Sequence, residues 1–351
     1  MNEPLASPAT DPSPIFEHFR GSYATELLAA AIVDFEIFAR LELGPQSFDL
    51  LAAEAGLERR AAAVLFTALR AMGLLANAPD DRLALTPLAR EHLLPGARFD
   101  VTGYIGLAAG TPGVREMVAR LGSNRPANHK TEEQGTAFIY RAGVESAMER
   151  ETSARQLTLA LAGRARNVAP VLAARVSLAD RRCLLDVGGG TGIYSIAWLR
   201  QHPQLRAIVW DRPEVLKVAA EMAAEFGVAD RLELAPGDMF VDPLPGGVDV
   251  CLLSNILHDW DEPECRALVR RCADALPPGG KLLIHDVLLN DAHDGPLPVA
   301  LYSAALFSIT EGRAYSAAEY DRWLTEAGLV LESIQPTLVH CSVLTAVKPA
   351  G

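Results

Sequence analysis

The segment Leu184-Leu-Asp-Val-Gly-Gly-Gly-Thr-Gly-Ile193 sets Gly188, Gly190 and Gly192 at alternate positions, after an apolar run and before a helical pattern. Glycines spaced this way let the backbone turn tightly and let a ligand lie against the main chain. A dinucleotide loop reads G-x-G-x-x-G and would need glycine where this chain has Ile193. It would also bring pyrophosphate beside the carboxylate of Asp186, which repels it. A ligand carrying an amine or a positive charge suits Asp186 better. Asp211 ends the next strand-like run, twenty-one residues beyond Gly190, where a carboxylate can accept from both hydroxyls of a ribose, as it does in NAD sites too. Asp238, in Pro236-Gly-Asp-Met-Phe240, follows the third run. There a carboxylate can take an adenine amino group while Met239 packs on the ring.

Acid-x-G-x-G-x-G with two further acids at successive strand ends points to S-adenosylmethionine. The fourth run, Val248–Leu253, leads into Ser254-Asn-Ile-Leu-His-Asp-Trp260 and sets His258 at the mouth of the same site. Any one of eight histidines is by default a surface or structural residue, and this position is what singles His258 out. A methyl group on a sulfonium is already activated, so the chemical demand is for a nucleophile on the acceptor. A phenol or alcohol gives up its proton reluctantly near neutral pH, and an imidazole with an unperturbed pKa of ~6.5 can take it.

Strand-like runs at Cys183–Val187, Ala207–Trp210, Leu232–Leu234, Val248–Ser254 and Lys281–Asp286 alternate with helical patterns. Such alternation predicts a Rossmann-like α/β domain over 179–351, a parallel sheet covered on both faces. Leu329–Ile334 and Ser342–Val347 are expected to pair antiparallel at its edge. Ahead of it, residues 106–178 read as a helical connector and pocket region, with an apolar stripe of Leu157, Leu161, Val168 and Leu172. Residues 15–105 read as a mostly helical domain, beginning with one aromatic-rich helix over 15–43. That helix carries more apolar surface than it can hide, which predicts packing against another element or chain. Helix, turn, helix and hairpin then follow in winged-helix order. DNA binding is disfavoured, because between Pro45 and Pro95 five Arg face six acids and the presumed recognition helix is mostly Ala, Val, Leu and Phe. Residues 1–14 read as a disordered tail.

The whole chain of 351 residues is acidic, with 44 Asp and Glu against 32 Lys and Arg and a net charge of −12. A nucleic-acid partner wants the opposite field. No apolar run approaches the ~18 residues of a membrane span. The five cysteines are scattered with no CxxC pair, which predicts a reduced, cytoplasmic protein without a zinc site. No dense cluster of Asp, Glu and His is evident near the strand ends, so a metal-free reaction is expected.

LLDVGGGTG, Trp210-Asp-Arg-Pro213, GDMF, LHDW and PPGGKLLIHD occur in order. Together they resemble the S-adenosylmethionine-dependent O-methyltransferases of the caffeate, flavonoid and acetylserotonin type and their bacterial natural-product relatives, over nearly the whole chain. The resemblance implies a homodimer through an N-terminal winged-helix-like domain, and a small phenolic or enolic acceptor, with S-adenosylhomocysteine as the other product. It implies that Gly188, Gly190 and Asp211 bind the amino-acid and ribose parts, and that Asp238, Met239 and Phe240 surround adenine. His258 would be the base, with Asp259 and Trp260 shaping the site and Asp286 orienting the ring. Two positions depart from the family pattern. Its second orienting Glu aligns with Ala314, leaving Glu311 as the candidate substitute, and a cofactor-contacting Lys is Ser254 here. Tyr140, Met148, Leu306 and Phe307 are candidates for the acceptor lining, with Leu297–Ile309 closing one wall, although a core role suits them equally. Carbon or nitrogen methylation on the same fold, and a regulator that senses S-adenosylmethionine, are the alternatives.

Overall fold

A computed structural model describes residues 3–125 and 151–350, the latter with side chains from 155 onward. The candidate lining residues Tyr140 and Met148 lie outside the described residues. The chain divides into two units. One is built from the described residues of Ile15–Ala137 together with Leu289–Ser316, the other from those of Met1–Pro14, Phe138–Leu288 and Ala317–Gly351. This division differs from a simple succession of domains, because Leu289–Ser316 leaves the C-terminal part and joins the N-terminal unit.

The N-terminal unit begins with α1 (Ser13–Arg20), α2 (Ser22–Val33) and α3 (Ile37–Arg40). The single helix expected over 15–43 is thus broken twice. The second break falls at Asp34–Glu36, where Glu36 takes a left-handed φ of 50° and cannot continue a right-handed helix. Phe35 and Phe38 are buried while Ile15 and Phe19 (80% exposed) face outward in the single chain. Next come β1 (Gln46–Ser47), α4 (Phe48–Glu54), α5 (Arg59–Ala71), β2 (Leu75–Ala78) and β3 (Arg82–Leu85). Helix α4 starts where Ser47 Oγ accepts from Leu50 N. Strands β2 and β3 form an antiparallel hairpin that β1 extends. Helices α6 (Pro87–His92), α7 (Thr102–Gly106) and α8 (Pro112–Ser123) complete the first segment.

The other unit starts with α9 (Glu151–Arg175), then β4 (Cys183–Val187), α10 (Ile193–Gln201), β5 (Arg206–Asp211), α11 (Pro213–Glu225), β6 (Leu232–Pro236), β7 (Val250–Ser254), α12 (Glu262–Ala275) and β8 (Lys281–Leu289). The chain then supplies α13 (Leu297–Ile309) and β9 (Tyr315–Ser316) to the N-terminal unit. It closes with α14 (Ala317–Glu326), β10 (Val330–Pro336) and β11 (Cys341–Val347). Four of the five central strands are almost fully buried, which is why they read as continuous apolar runs. The sheet order is β10-β11-β8-β7-β4-β5-β6, parallel from β8 to β6, with β10 and β11 antiparallel at the edge. Progress along the chain runs outward from β4 through β5 to β6, then restarts on the other side at β7. The reversal between β4 and β7 is the crevice where open α/β sheets receive ligands.

One expectation is corrected. Of the predicted stripe on α9, Leu157, Val168 and Leu172 are buried, but Leu161 is 51% exposed. Residues Glu3–Asp11 lack regular structure; Asp11 accepts from Ser13, whose Oγ accepts from Val339 N at 3.0 Å. Among the described residues no helix is long and apolar enough to cross a membrane.

Candidate functional site

The loop after β4 carries Gly188, Gly190 and Gly192, all at positive φ. Each therefore adopts a backbone conformation that L side chains rarely tolerate. A Cβ added at Gly188 would lie 2.6 Å from Ile256 Cδ1, so this loop and the segment leaving β7 touch; one at Gly190 would meet nothing within 4 Å. The space over Gly190 is a cradle against bare backbone. Below it, Asp211 at the end of β5 accepts from Gly190 N at 2.8 Å and from Arg212 N at 2.7 Å. Burial pushes the Asp211 pKa up, and the two backbone donors and the Arg212 charge oppose that push.

Asp186, whose carboxylate suits a ligand carrying an amine or a positive charge, lies beneath the loop. Its carboxylate accepts from Ser195 Oγ at 2.7 Å, and its Cγ lies 2.7 Å from where a Gly189 Cβ would be. Burial there raises its pKa to about 7, the Ser195 hydroxyl pulling the other way and Asp211 adding to the rise. Asp186 thus props the loop, and a cation above would favour its charged form.

Beside Ile256, Met239 Cε lies 3.6 Å from a Cβ built at Gly188, and Phe240 meets Trp260 edge to face with centroids 4.6 Å apart. Asp238 Oδ1 accepts from Phe240 N, while Oδ2 sits 3.5 Å from the Arg212 guanidinium. The described residues fit a nucleoside: an open glycine backbone, a carboxylate below it and an apolar sulfur and two rings beside it.

His258 sits in a short turn after β7. Asn255 enters that turn at φ 56°, a left-handed conformation that asparagine tolerates better than most residues. Asn255 Nδ2 donates to Tyr194 OH and to Ser254 Oγ, and its Oδ1 accepts from Arg164 of α9 at 2.7 Å. Ser254, a candidate cofactor contact, has its hydroxyl 2.9 Å from His285 Nδ1. A serine is too short to reproduce a lysine's reach. His285 Nε2 pairs with Thr337, and burial lowers its pKa to about 3, so this ring stays neutral. None of Arg164, Tyr194, His285 or Thr337 stood out in the sequence as a site residue.

The buried His258 ring has Nδ1 2.5 Å from Asp286 Oδ1, and Nε2 3.6 Å from Asp259 Oδ1, beyond hydrogen-bond range. A carboxylate can only accept, so Nδ1 carries the proton and Nε2 is the nitrogen that can take another. Asp286 is itself held. Its Oδ1 accepts from Val287 N and its Oδ2 accepts from Tyr320 OH at 3.2 Å. Tyr320 was not anticipated, since on α14 it reads as one more buried apolar position. Asp259 is pushed up to about 6 by burial, His258 opposing and Asp286 reinforcing.

Burial alone would lower the His258 pKa. The charges of Asp286 and Asp259 and the hydrogen bond to Asp286 together outweigh it and hold the pKa above its ordinary value, against the pull of Arg164. A base must be neutral, so activity is lost as pH falls through that raised pKa. The acid limb of kcat/KM should lie above ~6.5. Asp286→Asn, which removes the largest raising charge, should move it to lower pH. A limb that stays in place in that variant would contradict the assignment.

Leu306, Phe307 and Glu311 belong to the N-terminal unit. Leu306 and Phe307 are buried on α13, with the Arg60 guanidinium 4.5 Å from the Phe307 ring centroid. Arg60 also donates to the carbonyls of Thr310 and Gly312, which fixes the turn carrying Glu311. Ala314 is buried, its N donating to Ser303 Oγ. Among the described residues no group of three His, Cys, Asp or Glu is placed to hold a metal ion.

A family model described as an O-methyltransferase domain matches residues 128–330. The chain is 37% identical over 310 residues to the 3-hydroxy-5-methyl-1-naphthoate 3-O-methyltransferase of Streptomyces sahachiroi, covering 88% of this chain and 86% of that protein. This chain belongs to the O-methyltransferase family. The methyltransferase also matches the solved O-methyltransferase family 2 protein of Planctomyces limnophilus, in complex with apigenin, at a TM-score of 0.88 and 48% identity over 98% of each chain. Human N-acetylserotonin methyltransferase, solved with SAM, shares the fold at a TM-score of 0.60 and 22% identity, covering 98% of this chain and 100% of that one. Membership implies S-adenosylmethionine as the methyl donor.

Proposed function

We propose that this methyltransferase transfers a methyl group to the hydroxyl of a small aromatic acceptor, phenolic or enolic, with His258 as general base. The observation that carries the reading is the His258 ring, fixed through Nδ1 by Asp286 on the turn that touches the glycine loop. The hydroxynaphthoate-methylating relative and the relative solved with apigenin support an aromatic acceptor.

S-adenosylmethionine, when bound, supplies a methyl on a positively charged sulfur and is left as S-adenosylhomocysteine. Gly188 and Gly190 would receive its amino-acid part, Asp211 the ribose, and Asp238, Met239, Phe240 and Trp260 the adenine. Asp186 lends negative potential from beneath. His258 Nε2 takes the acceptor's hydroxyl proton, while Asp286 and Asp259 stabilise the imidazolium that results. General-base help of this kind is typically ~10²–10⁴-fold, and holding the reacting atoms in line supplies more. Glu311 remains the residue proposed for the family's second orienting acid.

Incubation with labelled S-adenosylmethionine and a panel of phenols and enols tests the reading. The expected product carries one added methyl on oxygen. A carbon- or nitrogen-bound methyl would overturn the assignment of the acceptor atom, and so would no transfer to any hydroxyl compound.

A further inference from the structure

Asp286 holds His258, and something must hold Asp286. Its Oδ1 is shared between His258 Nδ1 and Val287 N, which leaves Oδ2 as the atom that fixes the tilt of the carboxylate. Tyr320 OH reaches that oxygen from α14 at 3.2 Å. The tyrosine is fully buried, and its ring meets Trp323 edge to face at 5.4 Å and 84°. A buried phenol donating to a carboxylate shares its negative charge and limits its rotation.

We propose that Tyr320 is a positioning residue for methyl transfer, acting through Asp286 to fix the orientation and proton affinity of the His258 imidazole. The proposal deepens the reading of His258 as base and rests on it. Beside Glu311, the candidate for the second orienting acid, it gives the ring a further support: a neutral phenol that steadies Asp286.

Among the described residues, the charged and titratable groups around His258 include Asp286 and His285 on β8, Asp259 on its own turn, Arg164 on α9 and Tyr320 on α14. Removing the phenol hydroxyl leaves the Asp286 charge less shared, so it attracts the Nδ1 proton more strongly and His258 becomes harder to deprotonate.

The test is Tyr320→Phe, which keeps the ring volume. Imidazole NMR of the ligand-free protein should show the His258 titration moved to higher pH by roughly a few tenths to one unit. Turnover should fall roughly tenfold, with the acceptor KM changed less than about twofold. In an Asp286→Asn background the same change should have little further effect, because the route runs through Asp286. A lowered melting temperature with an unmoved His258 titration would make Tyr320 merely structural and overturn the proposal. Should Tyr320→Phe fail to fold, a ¹³Cζ label placed at Tyr320 in the wild-type protein decides instead. Its resonance should titrate together with His258, and a flat response refutes the coupling. The titration is read without substrate, so it stands apart from the base assignment. If His258→Gln stayed active while Tyr320→Phe still moved the titration, the base reading alone would fail.

Discussion

His258→Gln lowers turnover by about 10²–10⁴-fold. Glutamine is close to histidine in length and leaves a polar group against Asp286, so the buried carboxylate keeps a donor and the fold has no unpaired charge to accommodate. What it lacks is a nitrogen that can accept a proton near neutral pH. Binding of S-adenosylhomocysteine, followed by calorimetry, should stay within about twofold of wild type, because the glycine loop, Asp211 and the Phe240–Trp260 pair are untouched. Undiminished turnover in this variant would remove His258 from the chemistry.

Asp211→Ala is expected to do the opposite. It should weaken S-adenosylhomocysteine binding by roughly 100-fold, while turnover at saturating donor falls far less. The Asp211 carboxylate accepts from Gly190 N and Arg212 N. Hydrogen bonds to a charged group contribute about 1.5–3 kcal/mol each, so losing both frees the backbone over which the ligand must lie. Asp211→Asn keeps one acceptor for Gly190 N and should lose less. Calorimetry on both variants, with melting curves as the control for folding, checks the claim. Wild-type affinity in the alanine variant would displace the ligand from this loop.

The glycine loop was legible because its chemistry is local. Gly188, Gly190 and Gly192 each need a positive φ, and only residue type decides whether that is tolerated. The central strands were legible because burial on both faces leaves runs of mostly apolar side chains to read. The pairing of His258 with Asp286 was foreshadowed by family resemblance, not by spacing. The direction of the Asp186 side chain was not legible, since a carboxylate at a strand end can face the crevice or the helix, and Ser195 nine residues on draws it toward the helix. The buried network around the base was hidden for a different reason. Arg164 reaches Asn255 across 91 residues of chain and Cys341 across 177, and no local pattern encodes such meetings. Tyr320 carried no polar signature at all, because a tyrosine at a core spacing on a helix looks the same with or without a carboxylate at its tip.

The chain leaves the sheet-bearing unit after Leu288 and re-enters it at Ala317. Asp286 and Tyr320 therefore stand just before and just after a detour that belongs to another body. Substitutions confined to residues 289–316 thus leave in place both the carboxylate that holds the imidazole and the phenol that holds the carboxylate.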